Sequence, residues 1–135
     1  QTKYIYYKLS SLHGSIKHYF HFFYGVFVPI ILEYVEQSNK YKKLTFIIGD
    51  DIGPMLRILL ELPIDIKLKQ YLPNYGELGV EEKYLQPLEL KRVLKAEELM
   101  LFWKIKKVFF GSQPKRMEYG AMMARPLKTL MKKTG

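Results

Sequence analysis

His13, His18 and His21 are the three histidines of this chain, and they fall within nine residues. On one helix His18 and His21, at i and i+3, share a face. Two imidazoles so placed can ligate a transition metal, but a catalytic zinc centre needs a third protein ligand and an orienting outer shell. No His-Glu-x-x-His pattern supplies one, so no metal site is read here. Imidazole titrates near neutrality, so at a helix start facing a cleft it can serve as acid, base or phosphate contact. The blander role is to cap or line the end of a buried helix. Asp50 and Asp51 are the second pair with chemical capacity, placed after the apolar run Leu44–Ile48 and before a helix-forming segment. In an open parallel sheet, ligands lie outside the carboxyl ends of the strands. Paired carboxylates there can hold Mg²⁺ or Mn²⁺ or bond a sugar hydroxyl. They equally suit the positive end of a helix dipole.

Other chemistries find no support. The chain has no cysteine, which excludes a disulfide framework, a thiolate metal site and a cysteine nucleophile, and only weakly favours a reducing, cytoplasmic setting. No Walker loop, Gly-x-Gly-x-x-Gly or Gly-x-Ser-x-Gly occurs, against ATP, dinucleotide and serine-hydrolase functions. Charge is more informative. Residues 1–102 carry 13 basic and 12 acidic side chains, whereas 103–135 carry nine Lys or Arg against Glu118 alone. All but one unit of the net charge of +9 therefore belongs to the C-terminal quarter. Its Lys115, Arg116 and Arg125 are candidate contacts for phosphate or another anion, and residues 104–133 could meet an anionic polymer or membrane surface. No zinc finger, RNP motif or helix-turn-helix accompanies them.

The elements that must position these groups alternate. Tyr4–Leu9 reads as a strand and Ser10–Ser15 as a break. Ile16–Val35 is apolar almost all round, so it reads as a buried helix, with Ser15 as N-cap and Pro29 as a kink or a break. Its core, Tyr19–Leu32, is 14 residues, short of the roughly 17 to 25 that span a bilayer. Leu44–Ile48 reads as a strand buried on both faces. Pro54 opens a second helix with Gly53 as N-cap, Pro63 stops it, and Ile64–Lys69 alternates as a half-buried strand. Residues 70–80 read as a loop, Leu88–Leu94 as strand or helix, and Glu97–Val108 as helix. This alternation predicts an α/β domain over 1–111, with a small, mostly parallel sheet of three or four strands. The basic segment 112–135 follows as a short helix or tail. No internal repeat or signal-peptide pattern is present, and Gln1 reads as the start of a processed chain or fragment.

The stretch from His18 to Glu33, with His21, Gly25 and Pro29 inside it, resembles a segment of family 61 glycosyltransferases and related capsular-polysaccharide enzymes. There a histidine and an aromatic lead into an apolar helix with a proline about eight residues on. The likeness runs over residues 13–70, through the strand Leu44–Ile48, the run Leu59–Leu62 and the strand Ile64–Leu68. The resemblance implies a Rossmann-like lobe of the GT-B type, metal-independent and without a bound cofactor. It further implies the acceptor-side lobe, with the nucleotide-sugar lobe missing or on another chain. His21 becomes the candidate base or acceptor contact and His18 its neighbour. Gly25 stands where the family usually has an acid, so an activity that depends on that acid is not implied for this chain.

These observations together lead us to expect transfer of a sugar from a nucleotide sugar to a glycan or protein hydroxyl. His21 and His18 are the candidate catalytic residues, and Asp50, Asp51 and His13 the candidate substrate contacts. Two alternatives accompany it. One is a basic, non-enzymatic module for nucleic acid or an anionic membrane. The other is an assembly subunit whose aromatic helix packs on a partner chain.

Overall fold

Strands β1 (Lys3–Lys8) and β2 (Leu44–Ile48) are the apolar, β-branched and aromatic runs of the sequence, and they form the middle of a parallel sheet. The computed structural model describes residues 1–9, 19–49, 53, 56–89, 93–110 and 128–132. Its contacts divide the chain into two units, Gln1–Leu60 with Ile64–Leu88, and Glu61–Pro63 with Glu89–Gly135. The first unit contains the sheet, in the order β3-β2-β1-β4, with β3 at Ile66–Leu68 and β4 at Glu81–Tyr84. Every pairing is parallel. The expected α/β architecture is therefore present, as a four-stranded sheet consistent with a Rossmann-like lobe.

Register sorts the side chains between two faces. Ile5 pairs with Phe46 and Glu81, and Phe46 with Ile66, so these four share one face. Tyr6 pairs with Ile47 and Glu82, and Ile47 with Lys67, on the other. The crossover from β1 to β2 covers the first face. It comprises α1 (Tyr19–Phe22), a π-helical turn (Phe23–Phe27) and α2 (Val28–Ser38). Phe22, Phe23, Val26, Phe27, Ile30 and Ile31 are wholly buried. Each such side chain stabilises the fold by roughly 1.5–3 kcal/mol. Tyr34 of α2 meets Phe46 edge-on at 6.3 Å, and Phe46 meets Tyr7 at 4.9 Å.

Pro29 stands at the start of α2, where the π turn ends, so it marks the junction of two helical pieces as the sequence allows, while the helical run continues across it. Its ring would crowd the carbonyl of residue 25 in a regular α-helix and removes the hydrogen bond that carbonyl would accept. The π turn widens the helix immediately before it, with the Val28 N–H donating to the Phe23 carbonyl five residues back. The helical run thus continues to Ser38, three residues past the expected end. Residues 16–18 and the proposed cap Ser15 lie outside the described residues. Helix α3 is described over Leu56–Leu60, and Gly53 before it has φ +63°, a left-handed conformation suited to glycine. No helix among the described residues is long and apolar enough to cross a membrane.

Strand β4 is the element the sequence does not announce. Glu-Glu-Lys-Tyr has little β-propensity, but backbone pairing and cross-strand charges hold it at an edge. Lys3 Nζ lies 2.8 Å from Glu81, and Lys8 Nζ 3.4 Å from Glu82. Between β3 and β4 the chain crosses the sheet through residues 69–80, in two 3₁₀ turns at Lys69–Tyr71 and Tyr75–Glu77. Of the segment Leu88–Leu94, read as strand or helix, the described residues 88–89 and 93–94 are neither. In the second unit α4 runs over Ala96–Phe110. The Lys95 N–H donates to Glu98 Oε1 at 2.9 Å, half of a capping box at the helix start. Residues 128–131 form one helical turn.

Glu33 of α2 is half-buried, and desolvation raises its pKa above the ordinary 4.5, against the opposing pull of Lys83. The folded state therefore holds this proton more tightly than the unfolded chain. Its contribution to stability is complete below the unfolded pKa and is lost as pH rises through the folded one. Glu33→Gln is accordingly expected to raise the melting temperature at pH 7–8 and to leave it unchanged below about pH 4. A gap between variant and wild type that does not close on acidification would contradict this account.

Candidate functional site

The strand order fixes where a ligand can approach. From β1 the chain moves one way to β2 and β3, then returns past both to add β4 on the far side of β1. Such a reversal separates the loops leaving neighbouring strands and opens a crevice at their carboxyl ends. Here that switch point falls between Lys8 and Tyr84, which are register partners at the ends of β1 and β4.

A strip of charged and aromatic side chains leads up to it on the face opposite α2. Lys8 Nζ sits 4.7 Å from the Tyr84 ring centre and 3.4 Å from Glu82 Oε2. Tyr75, from the 69–80 crossover, donates its hydroxyl to Glu82 Oε1 at 3.0 Å and meets Tyr6 edge-on at 6.0 Å. Lys69 Nζ lies 4.5 Å from the Tyr75 ring centre and 5.2 Å from that of Tyr6. Ring faces attract ammonium groups, so both lysines are held over tyrosines while they stay open to water. Exposed ion pairs of this kind contribute only about 0–1 kcal/mol, so the strip orients groups more than it stabilises the fold. The Tyr75 hydroxyl and Lys8 hold the Glu82 carboxyl below its usual range, and desolvation with Glu82 beside it pushes the Tyr75 phenol up. Around neutrality the strip therefore presents the Glu82 carboxylate and the neutral Tyr75 phenol beside two lysines. It can bind an anion or hydroxyl-rich ligand; it contains no nucleophile–base pair.

The sequence-derived candidates distribute unevenly around this edge. His21 is described, exposed on α1 in the crossover that leaves β1. His13, His18, Asp50 and Asp51 lie outside the described residues, as do Lys115, Arg116 and Arg125. By chain connectivity, residues 10–18 follow β1 and residues 50–55 follow β2. Among the described residues no group of three or more His, Asp or Glu could hold a metal ion. Lys8, Lys69, Tyr75, Glu82 and Tyr84 were not identified from sequence, because no spacing links a strand to a crossover 60 residues later. The alternation in Tyr4-Ile5-Tyr6 was the one available signal, since it puts Tyr6 opposite the core face.

Gly49, directly after β2, is part of the same design. A Cβ there would come within 2.7 Å of Tyr6 Cε2 and closer still to its hydroxyl. The absent side chain is what lets the Tyr6 ring lie across the end of β2. A separate cleft of about 430 Å³ opens at the amino end of the sheet, lined by Thr2, Leu44, Thr45 and Asp65 among others. This cleft and the switch point are thus at opposite ends of the strands. We place the principal site at the switch point, because only there does topology separate the loops. In comparisons with known proteins, no family model, curated protein or solved structure matches the chain.

Gly49→Ala is expected to destabilise the protein by about 1–3 kcal/mol through overpacking against Tyr6. The penalty should vanish in a Tyr6→Leu background. Chemical denaturation of the four members of this cycle measures the coupling, and additive effects would show that Tyr6 is not what Gly49 accommodates.

Proposed function

We propose that this chain is the acceptor-side lobe of a sugar-transferring enzyme, moving a glycosyl group from a nucleotide sugar to a hydroxyl of a glycan or protein. The observation that carries the reading is the β3-β2-β1-β4 parallel order, with the histidine-bearing helix in the crossover between β1 and β2. The same helix carries the resemblance to family 61 glycosyltransferases. In the reaction a base takes the acceptor proton, and the acceptor oxygen bonds the anomeric carbon. The bond from that carbon to the diphosphate oxygen breaks, and the nucleoside diphosphate leaves with the electron pair. His21, with His18 beside it in sequence, is the proposed base or acceptor contact; Asp50, Asp51 and His13 are the proposed hydroxyl contacts. Gly25 is buried in the π turn, where a carboxylate would have to be desolvated among aromatic side chains. The base in this chain therefore comes from outside position 25. Cationic groups, among them Lys8 and Lys69, stabilise the departing phosphate charge.

An acceptor-side lobe should bind acceptor without donor. Titrating the full chain with neutral oligosaccharides, read by backbone amide shifts, is expected to perturb Lys8, Tyr84 and Leu85. His21→Ala should weaken that binding by about tenfold without unfolding the chain. If no oligosaccharide moves those resonances, the reading fails.

The exposed Lys104, Lys128 and Lys132 favour a second role, contact with an anionic polymer or membrane through the C-terminal quarter. Binding to heparin or to phosphatidylserine vesicles should then fall steeply with salt and be lost on deleting residues 112–135. Retention after the deletion would exclude this role.

A further inference from the structure

The cleft at the amino end of the sheet has a lining of its own and takes no part in the reading above. Its floor is fixed by backbone hydrogen bonds, Lys3 N–H to the Lys43 carbonyl and Phe46 N–H to the Asp65 carbonyl, both at 2.9 Å. Asp65 is tethered by Thr45, whose buried hydroxyl donates to Asp65 Oδ2 at 2.6 Å. With its proton committed there, Thr45 retains only acceptor capacity; Lys67 Nζ of β3 lies 3.6 Å from Asp65 Oδ1, so the Asp65 carboxylate is held from both sides, and its remaining lone pairs are what it can offer at the cleft wall. Tyr34 and Tyr41 bring phenol groups and ring surface from the end of α2 and the turn after it, and Thr2 a further hydroxyl. Lys42 and Lys43 complete the rim. Lys42 and Lys43 thus stand against one carboxylate, Asp65, which Lys67 also pairs, so the cleft carries a net positive charge that an anionic group on the ligand would meet.

The volume, about 430 Å³, falls within the usual range of small-molecule sites, about 300–1,000 Å³. A drug-like apolar ligand does not suit this wall, where Leu44 is the one aliphatic side chain. What fits is a ligand rich in hydroxyls, able to donate to Asp65 and accept from the tyrosines, with a single negative charge for the lysines. The geometry points to a second binding site, at the amino edge of the sheet, for one sugar-sized polyol bearing one carboxylate. The site is separated from the switch point by the length of the strands, so it binds without taking part in transfer. A preformed wall keeps the ordering cost of binding low.

Glucuronate, glucose and acetate, titrated separately into the full chain, test this through the amide shifts of Thr2, Tyr41 and Thr45. Glucuronate is expected to give saturable shifts confined to this edge, with an affinity at least about tenfold above that of glucose or acetate. Lys42→Ser with Lys43→Ser should reduce glucuronate to the level of glucose, and Asp65→Asn should weaken it with Thr45 still folded into β2. Equal binding of acetate would reduce the cleft to a diffuse cationic surface and overturn the proposal. Equal binding of glucose, or the absence of any shift, would overturn it as well. These resonances are distinct from those of Lys8, Tyr84 and Leu85, so the outcome is independent of oligosaccharide binding at the carboxyl edge.

Discussion

Hydrogen bonding of β1 on both of its edges is the constraint from which the remaining organisation follows. β2 pairs with one edge and β4 with the other, both parallel to it. A parallel neighbour can be reached only by a crossover of about a dozen residues or more. The chain therefore makes two crossover connections to surround one strand. Right-handed crossovers place connections on opposite faces when the chain reverses direction across the sheet. The contacts agree. Tyr34 of α2 meets Phe46 on one face, and Tyr75 of the second connection meets Tyr6 on the other. The switch point, and hence the edge to which a ligand is directed, is a consequence of that pairing.

The two crossovers accomplish their coverage by different means. The first is a long helix in which Phe22, Phe23 and Phe27 are wholly buried, and hydrophobic burial dominates its energetics. That helix keeps Pro29 by widening into a π turn, a local departure from α geometry that costs hydrogen-bond regularity and saves continuity. The second crossover is short, mostly exposed and built of 3₁₀ turns, and it rests on a few aromatic and cation–ring contacts rather than on a core. One face of the sheet is thus a packed interior. The other buries Thr45, Ile47 and Tyr6 towards β2 and carries, towards the β4 edge, charged side chains that are held in place and still meet solvent. This asymmetry explains why the oriented polar groups gather around Tyr6 and not around Tyr7. The Tyr7 phenol, wholly enclosed beside Phe46 and near Glu33 and Glu36, is held in its neutral form by desolvation.

Charge follows the same division. At β4 the acids and lysine alternate between faces, Glu81 pairing with Lys3 beneath the helix side and Glu82 with Lys8 on the open side. These pairs orient the edge strand, while backbone pairing with β1 holds it in place. They also make the edge a poor template for further strands, since charged residues on an edge oppose edge-to-edge association. In the second unit, the back-bond from Glu98 to the Lys95 N–H shows a local device working without a serine or threonine at the cap.

Composition and periodicity by themselves determined the elements whose burial is written in their residue types. The apolar runs at Tyr4–Leu9 and Leu44–Ile48, the helix around Phe23, the alternating Ile64–Lys69 and the helix from Glu97 were all legible, and with them a parallel α/β sheet. Local pattern carries that information because burial selects residue type at the period of the element. β4 was not legible, since four polar residues become a strand only when β1 offers a free edge. Nor was the passage of the helix through Pro29, which depends on the π turn ahead of it. Of the site, sequence nominated histidines and aspartates that lie in connections after β1 and β2. The strip of Lys8, Lys69, Tyr75, Glu82 and Tyr84 came from tertiary structure alone. Its members are brought together by strand order and register, long-range pairings that leave no periodic trace along the chain.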